Sequence, residues 1–478
     1  MSYPQPQLFV GGEWLAATST GAMPVLNPGD GQTLAHLPIA GDRELRAAAN
    51  AAGGAFRGWS ALLPLERQRI IARATQLLRE RAPHVAEVLT LEQGKPLAEA
   101  QREVALAADI IDFLAEEARR LPIRGVPPRL ANIASQTVTR VPVGPVAAFT
   151  PWNFPANLPA RKIGGALAAG CTVIIKPSEE TPATCMELVR AFADAGLPHG
   201  VLNLVAGQPA QISAFLIAEP AIAKLSFTGS VPVGRQLGEL AARHLKRYTA
   251  ELGGHAPAII AADVDPLAVA RLAVAAKFRN AGQVCASPIR FLVQRALYER
   301  FRDAFVAETL KIKVGPGLDP ESRMGPLIHE RRISEMQRFV DDARAHGARV
   351  LTGGVRLDRP GFFYAPTVLE RVPATARAQR EEPFGPIALL DSYDTVDEAL
   401  ERSNALPYGL AAYAFTNDLK LSQRLSAGLV AGMVGINHFG ISQPETPFGG
   451  VKESGFGSES GLEGLLGYTD VKLVSVAS

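Results

Sequence analysis

The sequence predicts an α/β chain built on parallel sheets in at least two domains, and three observations predict it. Short apolar runs alternate with amphipathic segments through the middle of the chain, as buried strands joined by crossover helices do. The alternation pauses near Gly254 and resumes with "APAIIAA", which marks a second such unit. The 478 residues also exceed the size at which one hydrophobic core stops growing. Composition is that of an ordinary globular protein, 47% hydrophobic and 20% charged. Forty-nine Lys and Arg against 47 Asp and Glu leave a net charge of +2, too small an imbalance to imply a nucleic-acid or membrane partner.

From Leu65 to Glu117 the apolar residues recur at helical spacing. Ile70, Ala74, Leu77 and Leu78 form one stripe and Val104, Ala108, Ile111 and Leu114 another, with Gly94-Lys95-Pro96 between them. The basic run Arg69–Arg81 is interleaved with this spacing and reads as a solvated helix face. "SQTVTR" (Ser135–Arg140) alternates like an exposed strand. "VGPVAAFT", "CTVIIK", "VLNLVAG" and "AKLSFTG" then read as buried strands, and the segments 156–169, 182–195 and 208–218 between them as helices. A dinucleotide-binding sheet is the first candidate for that order. "APAIIAA", "RFLVQ" and a helix over 296–310 begin the second unit, and the tail "YTDVKLVSVAS" alternates again, as a strand offered to a neighbouring subunit would.

Three cysteines, Cys171, Cys185 and Cys285, are too few and odd in number for a disulfide framework and indicate a reducing compartment. The start "MSYPQPQLFVGGEW" lacks a basic segment followed by an apolar one, and no run of about 18 apolar residues spans a membrane, so the expected location is the cytoplasm. No His/Cys cluster has metal-ligand spacing, and no metal is expected.

The chemistry-bearing residues lie at the ends of the buried runs. Cys285 follows small and amide residues in "KFRNAGQVCAS"; taken alone it reads first as a core thiol, and otherwise as a nucleophile. The Gly-x-Gly-x-x-Gly fingerprint is missing, but "FTGSVPVG" sets Gly229 and Gly234 where a helix would begin, and backbone N–H groups there attract a pyrophosphate. In "IIKPSEETP", Lys176 and Glu179 leave the carboxyl end of a strand, where Glu179 suits a ribose diol and repels a 2′-phosphate, or is simply a solvated carboxylate. "TPWNFP" offers the Asn153 amide to an oxyanion or to a turn. Glu251 in "AELGG" is a general base or a strand-end charge, and Glu382 and Phe384 in "EEPFGP" flank a tight turn.

Taken in order, "TPWNFP", "KPSEE", "FTGSVPVG", "ELGG", "NAGQVC", "EEPFGP" and "TPFGGVKESGFG" resemble the signature series of the aldehyde dehydrogenase superfamily over nearly the whole chain. The resemblance implies Cys285 as nucleophile, Glu251 as general base, and the Asn153 side chain with the Cys285 backbone N–H as oxyanion donors. It implies NAD as cofactor, with NADP accepted more weakly. Lys176 and Glu179 would hold the adenosine ribose, Ser230 and Gly234 the pyrophosphate, Glu382 the nicotinamide ribose, and Phe384 would pack near the nicotinamide. Thr150, Pro151, Trp152, Ser178, Gly229 and Leu252 complete the cofactor set. The implied fold has a cofactor domain (1–123 and 143–253), a catalytic domain (254–450) and an oligomerisation arm (124–142 and 459–478) that joins subunits into a homotetramer or homodimer.

Arg161, eight residues after Asn153 and expected two turns along the same helix, Arg279, six before Cys285, and Ser442 resemble the carboxylate clamp of succinate semialdehyde dehydrogenases, as does "LEQGKPLAEA". Phe154 joins this substrate set. Guanidinium groups suit a carboxylate through paired charge-assisted bonds; the alternative for each arginine, less favoured beside the other matches, is half of an internal salt bridge. Ser287 stands where many of those enzymes carry a second cysteine, so a disulfide switch is missing. "VCASPIRFLV" also resembles α-ketoglutarate semialdehyde dehydrogenases. Leu158 and Ile289, expected to flank the pocket, offer no polar group to an oxo function, which favours succinate semialdehyde. A CoA-acylating dehydrogenase and a catalytically idle binding protein are the readings from other classes; Glu251 favours water over CoA, and intact Cys285, Glu251 and Asn153 oppose idleness.

Overall fold

A computed structural model describes residues 3–477. Among the described residues the first sheet has eight strands, in the order Gly455–Phe456, Arg247–Glu251, Lys224–Thr228, Val146–Phe149, Val173–Lys176, Leu202–Leu204, Leu8–Val10 and Glu13–Leu15. The five central strands are parallel. Four of them are the expected apolar runs, buried throughout; the fifth, Arg247–Glu251, was not among those runs and is buried only from Thr249 on. Helices Asn157–Ala169, Pro182–Asp194 and Pro209–Ala218 match the expected segments to within a residue or so. From Val146–Phe149 the chain moves outward through Val173–Lys176, then returns to place Lys224–Thr228 on the other side. That reversal is a topological switch point, and a crevice opens beyond the strand ends there.

The amphipathic stretch before the sheet forms Pro64–Glu80, Ala82–Gln93 and Leu97–Glu117, broken at Gly94, which takes the left-handed conformation (φ +94°) that closes a helix. Ala74, Leu77, Leu78, Val104, Ala108, Ile111 and Leu114 are buried as their spacing requires; Ile70 is only partly so, and Ile71 takes the core position beside it.

The second sheet has seven strands among the described residues, ordered Arg349–Thr352, Thr367–Glu370, Ile387–Tyr393, Pro288–Gln294, Ala256–Ile260, Ala411–Phe415 and Met433–Ile436. Ile289 points into the core of this unit at 2% exposure, so it does not flank the pocket as the sequence suggested. The reason is strand alternation: Ile289 and Phe291 share the core face of Pro288–Gln294.

The third sheet pairs Thr469–Ala477 with Ile133–Pro142, which also pairs with Arg124–Gly125. The tail therefore adds its strand to its own chain. Val471, Leu473, Val474 and Val476 stay exposed on it. Residues 459–468, grouped with the arm by resemblance, behave differently: Glu459 is buried, and Leu465 and Tyr468 belong to the core of the first unit.

The two large units meet edge to edge. Strand Arg247–Glu251 ends at the two glycines that lead into Ala256–Ile260, so the carboxyl end of the first sheet faces the amino end of the second. Glycine is required at one point of this seam: a Cβ on Gly282 (φ +71°) would lie 2.2 Å from the Gly385 carbonyl oxygen, whereas one on Gly253 would meet only the carboxylate end of Glu382 (2.1 Å) and displace that side chain.

Candidate active site

Two cavities meet at Cys285. The first, about 330 Å³, lies at the switch point. Its walls are the segments that leave the carboxyl ends of three adjacent strands: Pro151–Asn153, Thr228–Ser230 and Glu251–Gly253. The second sheet adds Cys285, Glu382 and Phe384. The second cavity, about 310 Å³, opens on the other side of Cys285 and is lined by Phe154, Leu158, Arg161, Arg279, Tyr413, Phe439, Ser442 and Phe448, among others.

Cys285 is half-buried in the turn that follows a short 3₁₀ segment, where Asn280 (φ +49°) and Ala281 (φ +53°) are both left-handed. Two adjacent non-glycine residues held there store strain that the surroundings must support. Asn280 finds that support by donating its side-chain amide to the Asn153 carbonyl (2.9 Å). Tyr413 donates its hydroxyl to the Ala286 carbonyl (2.7 Å) and fixes the far side of the turn. Asn153 Nδ2 donates one hydrogen to the Gln283 carbonyl (3.1 Å), and an amide nitrogen carries two, so one remains for a ligand oxygen. Asn153 lies in the loop ahead of helix Asn157–Ala169 and does not share that helix with Arg161: the chain bends at 152–154 and turns at 155–156 before the helix begins.

Burial, and then the carboxylates of Glu382 and Glu251, push the Cys285 thiol up to about 12. Glu251 is 2% exposed, and neither of its oxygens has a protein hydrogen-bond partner. Burial and the neighbouring Glu459 push its carboxyl well above the usual range, against the pull of Lys162 and Arg161. Sequence reading missed this last group. Lys162 bonds Glu459 and donates to Ser226 Oγ (3.0 Å), all three buried. No local motif signals a pair 297 positions apart.

In the first cavity Glu382 accepts from the Gly254 N–H (3.2 Å), and burial raises its carboxyl to about 7. Phe384 is left-handed (φ +46°); Arg332 donates to its carbonyl (3.0 Å) and Trp152 packs edge-on against its ring (5.4 Å). His329, Arg332 and Thr228 line this cavity and had drawn no notice in the sequence. Thr150, Lys176, Ser178 and Glu179 lie beyond its lining on the same sheet edge, where Lys176 pairs with Glu179 and Ser178 with Glu180. Gly234 is outside this lining: a Cβ there would meet the Leu252 side chain at 2.3 Å, and the glycine lines a neighbouring groove between helix Val231–Arg243 and strand Arg247–Glu251. It lets that helix approach the sheet closely.

The residues in and beside the first cavity have the chemistry that suits a dinucleotide. The helix start at Ser230–Val231 presents backbone N–H groups, the Thr150 and Thr228 hydroxyls are buried without partners among the described residues, and Glu382 brings a carboxyl to the wall. In the second cavity Arg161 is 3% exposed, donates to Ser442 Oγ (2.8 Å) and to Ser460 Oγ, and lies over the Phe448 ring (4.8 Å). Neither arginine is half of an internal salt bridge among the described residues. No group of three or more His, Cys, Asp or Glu among those residues could hold a metal.

The profile of the aldehyde dehydrogenase family matches residues 14–474. The chain belongs to this family. It is 47% identical to the 4-(hydroxymethyl)benzenesulfonate dehydrogenase of Comamonas testosteroni, over 99% of this chain and 98% of that one. It is 41% identical to the NADP(+) succinate-semialdehyde dehydrogenase of Escherichia coli, over 98% and 97%. The crystal structure of succinate-semialdehyde dehydrogenase from Burkholderia pseudomallei superposes with a TM-score of 0.97 at 41% identity, covering 99% and 98%. The protein is thus an NAD(P)-dependent aldehyde dehydrogenase with the family's α/β fold. No helix among its described residues is long and apolar enough to cross a membrane.

The electrostatics carry a test of their own. As Glu382 ionises, through about pH 7, its charge opposes a thiolate beside it. Replacing Glu382 by glutamine removes that repulsion and lowers the thiol pKa. Alkylation of Cys285 by iodoacetamide in mildly alkaline buffer, followed by peptide mass spectrometry, is expected to be several-fold faster in Glu382→Gln than in the parent. An equal rate would show that the carboxylate does not act on the sulfur.

Proposed function

We propose that this aldehyde dehydrogenase oxidises an aldehyde that carries an anion at its far end, succinate semialdehyde first among them. One observation carries the reading. Arg279 is exposed, makes no ion pair or hydrogen bond with the described residues, and opens on the same cavity as Cys285, across from Arg161 and Ser442. Its guanidinium lies over the Phe154 ring (5.6 Å), which orients it and leaves its donors for a carboxylate. A second reading has its own support. Four aromatic side chains, Phe154, Tyr413, Phe439 and Phe448, line this cavity, and a relative at 47% identity is named for a benzenesulfonate. A flat ring between aldehyde and anion suits such walls.

In the proposed reaction the Cys285 sulfur attacks the aldehyde carbon, and the second Asn153 amide hydrogen meets the charge that develops on oxygen. Bound NAD(P) supplies the hydride acceptor. The chain is left as a Cys285 thioester, which water hydrolyses to the acid. Glu251 is the base for that water: its raised pKa makes it a stronger base than an ordinary carboxylate once ionised. Buried, unpaired Cys171 and Cys185 support the cytoplasm as its compartment. The exposed apolar residues of Thr469–Ala477 support assembly into a homotetramer or homodimer.

Glu179 supports a preference for NAD. It pairs with Lys176, which leaves that lysine committed and a carboxylate where a 2′-phosphate would approach. The expected ratio of kcat/KM for NAD over NADP is roughly 10- to 100-fold, falling in Glu179→Gln. Equal efficiency would remove Glu179 from this role.

Glu251→Gln is expected to keep a burst of NADH and lose the steady state that follows, whereas Cys285→Ala loses both. Rapid-mixing absorbance separates them. A lost burst in Glu251→Gln would mean that the carboxyl also acts in deprotonating the thiol.

For the substrate, kcat/KM is compared across succinate semialdehyde, 4-formylbenzenesulfonate, and uncharged aldehydes of matched length. Arg279→Leu is expected to lose about 10- to 150-fold on the anionic members, mostly through KM, and little on the uncharged ones. Equal losses on both would make Arg279 a brace for the nucleophile loop. A parent enzyme that favours the ring over the chain would select the second reading.

A further inference from the structure

Lys95 and Glu103 form a buried ion pair, each no more than 4% exposed, and neither residue itself lines a cavity. Burying two charges costs more in desolvation than their attraction reliably returns, so stability alone is a weak reason for the pair. Its contacts suggest another. The Lys95 ammonium has three N–H donors, and three acceptors surround it: the Glu103 carboxylate, the Asn153 carbonyl (2.8 Å) and the face of the Phe154 ring (4.1 Å). Glu103 in turn accepts from the backbone N–H groups of Ala156 (2.9 Å) and Asn157 (3.3 Å). Helix Asn157–Ala169 has no side-chain cap of its own, and this carboxylate takes its place.

The same corner is tied to the nucleophile loop. The Asn153 carbonyl receives a second bond, from Asn280 Nδ2 (2.9 Å), and the Asn280 N–H is held by Glu99 (3.0 Å), one turn before Glu103 on helix Leu97–Glu117. Asn153 is thus fixed at its backbone oxygen by Lys95 and Asn280 and at its side chain by the Gln283 carbonyl. A donor aimed at a developing charge is effective only when its position is set before the reaction, because then no reorganisation is required during it.

We propose that Lys95, held by Glu103, is a positioning residue that aims the Asn153 amide at the oxyanion formed on Cys285. The proposal rests on the oxyanion role given to Asn153 above, and a double-mutant cycle separates the two. The parent, Lys95→Met, Asn153→Ala and the double variant are compared by the rate of the NADH burst. Lys95→Met keeps the side-chain length and removes the donors. It is expected to slow the burst about 10- to 100-fold with little change in KM for NAD, below the larger loss expected for Asn153→Ala. In the Asn153→Ala background the same substitution is expected to cost less than about twofold, because its target is gone. An equal cost in both backgrounds would make Lys95 a general support of the fold and overturn the proposal, as would a parent-like burst in Lys95→Met. A parent-like burst in Asn153→Ala would remove the oxyanion reading itself, and the proposal with it. If the unpaired Glu103 prevents folding of Lys95→Met, the cycle is run with the neutral pair Lys95→Met/Glu103→Gln, read by the same criteria.

Discussion

Everything at the site depends on the seam where the carboxyl edge of the first parallel sheet meets the amino edge of the second. Parallel strands all end on one side, so the loops leaving them converge there. Glu251 ends a strand of the first sheet, while Cys285 and Glu382 precede strands of the second. The backbones close on one another at Gly282, where a Cβ would collide with the Gly385 carbonyl. One seam thereby yields two cavities, with a single sulfur at their junction.

Desolvation sets the charge state at that junction. The Cys285 thiol and the carboxyls of Glu251 and Glu382 are all pushed toward their neutral forms. A site held this way resists unwanted reaction, and its groups become strong bases or nucleophiles once they ionise. The arginines divide the work differently. Arg161 is buried and bound to two serines, a fixed wall; Arg279 is exposed, and its side chain makes no ion pair or hydrogen bond with the described residues.

Several site residues were legible because each follows or precedes a buried strand with a short, ordered motif. Cys285, Glu251, Asn153, Glu382 and Phe384 were found that way, and they gather around one cavity. The Lys162–Glu459 pair, Arg332 and the aromatic side chains Tyr413 and Phe439 were not, since each reaches the site from an element remote in the chain. Ile289 was misread for a related reason. It sits in the right segment, but a strand presents opposite faces to opposite neighbours, and this residue lies on the face turned into the core.

The sequence by itself determined the α/β class, the position of nearly every central strand and helix, and the family, because apolar periodicity and ordered motifs are local properties of the chain. Only the tertiary structure decided which faces of those elements meet, where the two arginines stand relative to the sulfur, and which buried charges neighbour one another. Those depend on how two sheets pack across a seam, and a contact between residues hundreds of positions apart leaves no trace in either neighbourhood.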